Sequence, residues 1–437
     1  MIKQLILITY FFIFIGVHIY AQNPVLPGYY ADPSIKKYQG KYYIYATTDG
    51  YIPFGNNGQP FAWTSNNLID WQPEILKGLP NKTIWAPAIT KGKNNKFYLY
   101  TTNSVDYSGY VWEGSTPTGP FTLGNHLGSF DLEPFIDPVS GKSYVISASK
   151  MLFEMDNNVK SPSYLTKIKR TILLKGTFID FTEAPYLFYK NGLYYLMWAG
   201  GTCWTDTYKV RYAYAKHIEG PYTDGSEPII ETDKKNGIIG PGHNSLIEID
   251  GRYFLFYHRE DDSRPPSCNY RFTCVSEIKF NKNGDINRLN YVDDLGKLLG
   301  YKPHYVNLAL QKSVTTTDSD TGVYKVANVT DGRNDTRWTS KGVPATLTVD
   351  LGKIQNAEGI EVDFEFADKW QAFKVQYSND NSKWKLLEDH SQIAALAYKS
   401  RFIKSPFKAR YVKVTFNNSE DRTGSIWEFK VLGKRNN

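Results

Sequence analysis

Asp32, Asp131, Glu133 and Glu183 each stand at or just before the start of an aromatic-rich stretch, and His243 stands at the same place in a fifth. Asp is a poor strand former, and Pro33 behind Asp32 cannot donate to a ladder, so strand stability does not account for Asp32. Carboxylates are seldom buried without a partner. Gathered at one mouth they repel, which raises some pKa values and leaves others low. One protonated carboxyl and one ionised carboxylate form the pair that cleavage of a glycosidic bond requires. Trp85 and Tyr30 would add flat apolar faces of the kind a sugar ring packs on. Singly, each residue has a plainer role. Asp32 and Asp131 suit Asx turns, Glu183 suits an ion pair with a nearby Lys, and His243 suits a satisfied polar position at a strand end. Their joint placement is what favours chemistry.

That placement follows from an internal repeat. Five segments share one shape: ADPSIKKYQGKYYIYATT from Ala31, WAPAITKGKNNKFYLYTT from Trp85, LEPFIDPVSGKSYVISAS from Leu132, EAPYLFYKNGLYYLMWAG from Glu183, and GHNSLIEIDGRYFLFYHR from Gly242. Each reads as a strand, a short turn with Gly or Asn, and a second strand rich in aromatics. They recur about every 50 residues, enough for a four-stranded blade apiece. The chain from 22 to 302 is therefore expected to be a five-bladed β-propeller; a solenoid also repeats a unit, but usually a shorter one. In a propeller the corresponding strand of every blade lines the central channel. Aligned on the Pro that follows in four of the five repeats, one column holds Asp32, Ala86, Glu133, Ala184 and His243. The column before it holds Trp85 and Glu183, and the next one back holds Tyr30 and Asp131.

At this point the chain resembles a known family. NPVLPGYYADPS, TIWAPAI, FDLEPFIDPVSGKSY, FTEAPYLFYKNGLYYL and GPGHNSLI are similar to the successive signatures of glycoside hydrolase family 43, over roughly residues 23 to 290. The resemblance implies an inverting glycosidase: an α-L-arabinofuranosidase first, with β-xylosidase, endo-arabinanase and galactofuranosidase or galactanase as alternatives. It places the general base on Asp32, the general acid on Glu183, and the carboxylate that orients the acid and tunes its pKa on Asp131. Glu133 is a rival for that last role. His243 matches a residue that often helps hold a channel metal ion, and Arg271 matches one that contacts sugar near the acid. For inversion, Asp32 and Glu183 should stand roughly 6.5–9.5 Å apart. A glycan-binding propeller without turnover is the alternative from another functional class.

From about Val306 the pattern changes. NLALQKSV, NVTDGRNDTRWTS, LTVDLGK, FKVQYSNDNSKWKLLE, ARYVKVTF and SIWEFKVLG resemble the discoidin-like, coagulation-factor type C fold, often carbohydrate-binding module family 32 in secreted glycosidases. The resemblance implies a jelly-roll β-sandwich over residues 303–437 and a structural Ca²⁺ on oxygen ligands from Asp331, Thr336 and Glu428. No cofactor is expected for the chemistry itself.

The remaining features set the context. The chain is all-β in pattern, with 33 Tyr and 10 Trp, ample for cores of this size. Its net charge of +7 is spread among acidic residues without a basic run, which argues against nucleic acid as a partner. Residues 1–21 read as a cleaved signal peptide, so the mature chain is expected to be secreted or periplasmic, without a membrane span, and monomeric on an oligo- or polysaccharide substrate. Cys268 and Cys274 are close enough in sequence to staple a loop, leaving Cys203 over; free thiols are the alternative.

Overall fold

The computed structural model describes residues 22–51, 57–81, 83–318, 322–393, 395–403 and 405–435. The expected signal peptide, 1–21, lies outside them. The chain is all-β. Between Tyr30 and Ile278 it forms five antiparallel sheets in chain order, the first four with four strands and the last with three. Their first strands are Tyr30–Tyr38, Ile84–Lys91, Glu133–Ile136, Phe181–Lys190 and Gly242–Ile249. Three hairpins turn on Gln39-Gly40, Asn191-Gly192 and Asp250-Gly251, where both residues have positive φ. Those backbone angles suit the right-handed twist of the strands they join.

The sheets stack face to face in a cycle. Tyr45 and Leu99 meet between the first two sheets, Tyr100 and Val145 between the next two, and Ile146 and Leu196 between the third and fourth. Tyr195 and Leu255 meet between the fourth and fifth, and Ile44 and Phe254 between the fifth and first. Strands buried on both faces explain the near-continuous aromatic runs in the sequence. The cycle is tied shut at its ends. Val25 N–H donates to Thr273 O, and Asn23 exchanges hydrogen bonds with Val275, so the segment before the first sheet runs along the last strand of the fifth.

The C-terminal region is a sandwich of two sheets. One contains Val306–Asn307, Trp338–Thr339, Gly359–Phe364, Arg401–Phe402 and Ser425–Gly433; the other is built around Ala345–Ala357, Trp370–Ser378 and Phe407–Ser419. Leu347, Val362, Phe373, Val414, Phe416 and Phe429 fill the space between them. The sandwich is seated on the first and fifth sheets. Trp427, fully buried, lies edge-on to Tyr29 with ring centroids 5.1 Å apart and to Phe272 at 5.7 Å. Arg259 pairs with Asp335 across the same junction, and Asn334 donates to Pro24 O at 2.8 Å.

The cysteines correct the sequence expectation. The bridge joins Cys203 to Cys268, and Cys274 is a free, buried thiol. Cys274 lies inside the strand Arg271–Ile278 with its side chain in the apolar layer between the fourth and fifth sheets, so it faces away from the loop carrying Cys268. Burial pushes its thiol up to about 12.

Truncating Trp427 tests how far the two regions depend on each other. Trp427→Ala should cost about 3–5 kcal/mol, the usual range for emptying a buried Trp site. An unchanged urea midpoint would show that the junction adds no stability.

Candidate functional site

One backbone device repeats in all five sheets. Asp32, Ala86, Asp131, Ala184 and His243 have φ of 52°, 43°, 50°, 57° and 38°. In four sheets the residue is the extra one in a bulge. Ala31 pairs with Thr47 but Ser34 with Tyr45, Trp85 with Thr102 but Ala88 with Tyr100, Glu183 with Ala199 but Tyr186 with Met197, and Gly242 with His258 but Asn244 with Tyr257. In the third, Phe130 O accepts from Ala148 N–H while Glu133 pairs with Ile146, which leaves Asp131 and Leu132 in the same place. A bulge re-aims the side chain it carries, and a non-Gly residue at positive φ costs about 1–3 kcal/mol.

This geometry corrects the alignment on Pro. The third repeat shifts by two residues, so Asp131, not Glu133, is the counterpart of Asp32 and His243. Leu132 occupies the position held by Pro33, Pro87 and Pro185, and the Pro after Glu133 was a false anchor. Glu133 lies further along the channel, where Lys36 Nζ meets it at 2.6 Å and Ser34 donates to its other oxygen at 3.3 Å. Its charge is already matched there.

Asp32 is the most tightly held carboxylate. Arg271 Nη1 donates to its Oδ1 at 2.9 Å, and Thr47 Oγ1 donates to Oδ2 at 2.6 Å. Its backbone N–H donates to His258 Nδ1 at 3.2 Å, and His243 Nδ1 lies 3.3 Å from Oδ1. Burial alone would raise this carboxyl. The Arg271 guanidinium overrides it and holds Asp32 well below the usual carboxylate range. Burial and Arg271 push the His258 imidazole down to about 3, so it is neutral and accepts through Nδ1.

Arg271, the expected sugar contact, is engaged with carboxylates of the protein. It is buried and spans two carboxylates, reaching Asp49 through Nε at 2.8 Å and Nη2 at 3.2 Å as well as Asp32. Asp49, pushed up to about 7 by burial and by the Asp32 charge despite Arg271, has no sequence signal beyond its place after a strand.

The other two carboxylates are shifted the opposite way. Glu183 is raised by burial and by the Asp32 charge, against the pull of Tyr208 Oη, which donates to Oε1 at 2.6 Å. Asp131 is raised well above its ordinary value by burial and by the neighbouring charges of Glu183 and Asp32. Asp131 Oδ2 accepts from Ala184 N–H at 3.0 Å, which joins it to the backbone beside Glu183, and His243 lies 3.9 Å away. Burial and neighbouring charge thus push both Glu183 and Asp131 toward the protonated form.

Tyr208 and His258 were missed in the sequence. Their rings stack at 5.6 Å and 9°, linking the group on Glu183 to the group on the Asp32 backbone. The arrangement needs Gly242, because a Cβ there would lie 1.8 Å from the Tyr208 ring. GPGHNS carries that glycine, but only the fold shows what passes over it.

The expected aromatics divide. Trp85 is half-buried at the rim, edge-on to the exposed Tyr107 at 5.4 Å. Tyr30 turns into the apolar layer between the fifth and first sheets, edge-on to Trp63 at 5.0 Å, and offers no face to a ligand. It lies two residues before the bulge, where the strand side points away from the channel.

Among the described residues no group of three or more His, Cys, Asp or Glu is placed to hold a metal ion. His243 shares a small polar channel cavity with Asp32, Asp131, Glu133 and Asn244, whose buried amide N and O have no hydrogen-bond partner. In the sandwich, Thr336 Oγ1 donates to Asp331 Oδ2 at 2.8 Å and Gly332 N–H donates to Glu428 Oε1 at 2.7 Å. Glu428 Oε2 is buried without a partner, and burial together with the Asp331 charge raises the Glu428 carboxyl well above normal. A buried acid, a half-buried one and a hydroxyl fit a hard cation. A cavity of about 490 Å³ lies between the sandwich and the first sheet. Glu361 in its lining is paired to Lys430 and Arg401, and Glu428, with its unpartnered Oε2, lies on the same wall.

Comparisons with known proteins agree with this partition. The model of "Glycosyl hydrolases family 43" matches residues 21–286, and that of the "F5/8 type C domain" matches 313–429. Beta-D-galactofuranosidase xynD of Aspergillus niger is 28% identical over 311 residues, 62% of this chain and 85% of that protein. A beta-xylosidase of Bacillus subtilis is 28% identical over 282 residues, 55% of this chain. The chain spans 51% of that relative and 50% of a xylosidase/arabinosidase of Butyrivibrio fibrisolvens. Among solved structures, one titled "Glycoside hydrolase" superposes with a TM-score of 0.78 at 22% identity, over 94% of this chain and 99% of its own. That likeness concerns the fold.

The hydrogen bonds set the direction of two shifts. Tyr208→Phe removes a donor from Glu183, so the alkaline limb of the kcat/KM profile should move to higher pH. Arg271→Gln removes the cation holding Asp32 ionised, so the acid limb should also move up, with a large loss of rate. Limbs that stay in place in both variants would detach these groups from the pH dependence.

Proposed function

Because this chain belongs to glycosyl hydrolases family 43, with an F5/8 type C domain after the catalytic region, we propose that it is an inverting, exo-acting α-L-arabinofuranosidase of plant polysaccharide. The observation that carries the glycosidase chemistry is the opposite polarisation of two neighbouring carboxyls. Asp32 is held ionised by Arg271, while Glu183 is raised by burial and by Asp32. Asp32 acts as general base on water, and Glu183 donates its proton to the glycosidic oxygen. Asp131, bonded to the backbone at Ala184 beside Glu183, is assigned to orienting the acid and tuning its pKa. The cycle of five sheets is read as a five-bladed propeller, whose bulged first strands bring these groups to one rim.

Trp85, at the rim with Tyr107, is assigned to packing against the sugar. All the residues invoked belong to one chain, so one copy suffices. Residues 1–21 are assigned to export. Two structural cations are proposed, neither taking part in the chemistry. One is Ca²⁺ on Asp331, Thr336 and Glu428; the other is a hydrated cation beside His243, whose waters would also satisfy Asn244.

A second sugar has a specific observation in its favour. The Aspergillus niger relative, which this chain covers at 85% of its length, is named for galactofuranose, also a furanoside. The xylosidase names among the other relatives make β-xylosides the third candidate, with endo-acting arabinanase chemistry behind it.

A panel of 4-nitrophenyl furanosides and pyranosides tests the sugar, with α-L-arabinofuranoside expected to turn over fastest. Faster release from β-D-galactofuranoside or β-D-xyloside would reassign it. Proton NMR of the first product should show the anomer inverted, and a retained anomer would sink the single-displacement mechanism. Asp32→Asn should lower kcat by roughly 10²–10⁴-fold, the usual share of a general base. Calcium at about a hundred times its Kd should stabilise the protein by about 2.7 kcal/mol. Glu428→Gln should abolish that increment, and a melting temperature indifferent to calcium would remove the sandwich site.

A further inference from the structure

The Cys203–Cys268 bridge lies beside Glu183 and has no part in the chemistry so far described. It belongs to the loop 201–207, which joins the second and third strands of the fourth sheet. That loop starts where the first strand carries the acid: Phe181 pairs with Gly200, Glu183 with Ala199, and Thr182 Oγ1 donates to Gly201 O at 2.8 Å. It ends at Tyr208, whose hydroxyl is bonded to Glu183. Cys203 packs against Ala184, Ala199 and Tyr208, the immediate neighbours of the acid.

Trp204 is at the tip of this loop. Thr205 N–H donates to Thr202 O at 3.2 Å, closing a tight turn with Trp204 in its third position. The Trp204 side chain is 53% exposed, although indole is costly to leave in water. The loop is braced at both sides. The disulfide fixes Cys203 to the loop of the fifth sheet, and Lys234 holds Asp206 at 2.8 Å. The far end of that fifth-sheet loop is held too, since Asn269 donates to Tyr51 O at 2.6 Å next to Arg271. A cross-linked loop presenting an exposed ring has already lost part of the backbone entropy that binding would otherwise cost.

The side on which it stands decides the occupant. A general acid on Glu183 protonates the glycosidic oxygen, so the departing sugar must lie on the acid's side of the bond. We infer that Trp204 is the platform on which the leaving-group sugar stacks, held beside Glu183 by the Cys203–Cys268 bridge. Its ligand class is a neutral pyranose or furanose whose C–H face covers an indole ring. Resting as it does on Glu183 as the acid, this assignment makes Trp204 a residue that sets preference for oligosaccharide over short aglycones.

The test compares two substrates that differ only in what leaves. 1,5-α-L-Arabinotriose leaves a sugar, whereas α-L-arabinofuranosyl azide leaves a small anion that needs neither a platform nor a proton. The corresponding xylosyl or galactofuranosyl pair replaces them if the panel selects that sugar. Trp204→Ala should lower kcat/KM on the trisaccharide about tenfold, equivalent to about 1.4 kcal/mol, and leave the azide unchanged. Trp204→Phe should recover most of the loss. Equal losses on both substrates, or none on the trisaccharide, would overturn the platform. Glu183→Gln separates the underlying assignment, because a true acid variant loses the trisaccharide and keeps the azide. If Glu183→Gln keeps the trisaccharide, the acid assignment fails whatever Trp204 does.

Discussion

Arg271 reaches Asp32 across 239 residues of chain, and that 2.9 Å contact exists only because the last sheet closes on the first. Closure is secured beside it. Ile35 N–H donates to Ser245 Oγ, which in turn donates to Pro33 O, so the first strands of sheets one and five are stitched at the bulge itself. The strand that carries Arg271 is also the one along which residues 22–25 run. Loosening this seam would separate a buried cation from two buried carboxylates, and an unpaired buried charge is far more costly than an exposed one.

The bulges convert the closed cycle into a polarised site. A regular strand start would alternate its side chains between neighbouring sheets, into the apolar layers where Tyr30 goes. An extra residue at positive φ turns Asp32, Asp131 and His243 toward the channel instead, and backbone N–H groups at several of the bulges are capped locally. Ala86 donates to Thr47, whose hydroxyl donates to Asp32, while Asp131 donates to Thr102 and Ala184 to Asp131. Strain in the backbone is thus held by hydrogen bonds that also place the carboxylates. Arg271 lies between two carboxyls: Asp32, which also accepts from Thr47, is held low, while Asp49, Asp131 and Glu183 are pushed up, so these groups differ by surroundings rather than by residue type.

Much of this was legible in the chain. The aromatic strands, the Gly turns and the recurrence near 50 residues implied an all-β cycle, because period-two burial and hairpin chemistry are local properties. Asp32, Glu183 and His243 followed from that recurrence. The third repeat misled because Pro134 imitates the anchor proline, while the bulge residue, Asp131, is followed by Leu132. Arg271 followed from the resemblance, while its pairing with Asp32 and Asp49 carried no sequence signal. Tyr208, His258 and Asp49 carried no signal, since each is one of many similar residues whose importance comes from a neighbour in another sheet. The cysteine pairing failed for a like reason. Nearness in sequence favoured Cys268 with Cys274, but the alternation of a strand turned Cys274 into the core.

The sequence by itself determined the strand content, the repeat, the two-part organisation and the identity of the residues able to carry acid–base chemistry. These depend on side-chain type and short-range spacing. Tertiary structure alone decided which carboxyl is ionised and which keeps its proton, because that depends on a guanidinium and a hydroxyl brought in from distant strands and on the water excluded around them. It also decided that Cys203, rather than Cys274, braces the rim beside Glu183.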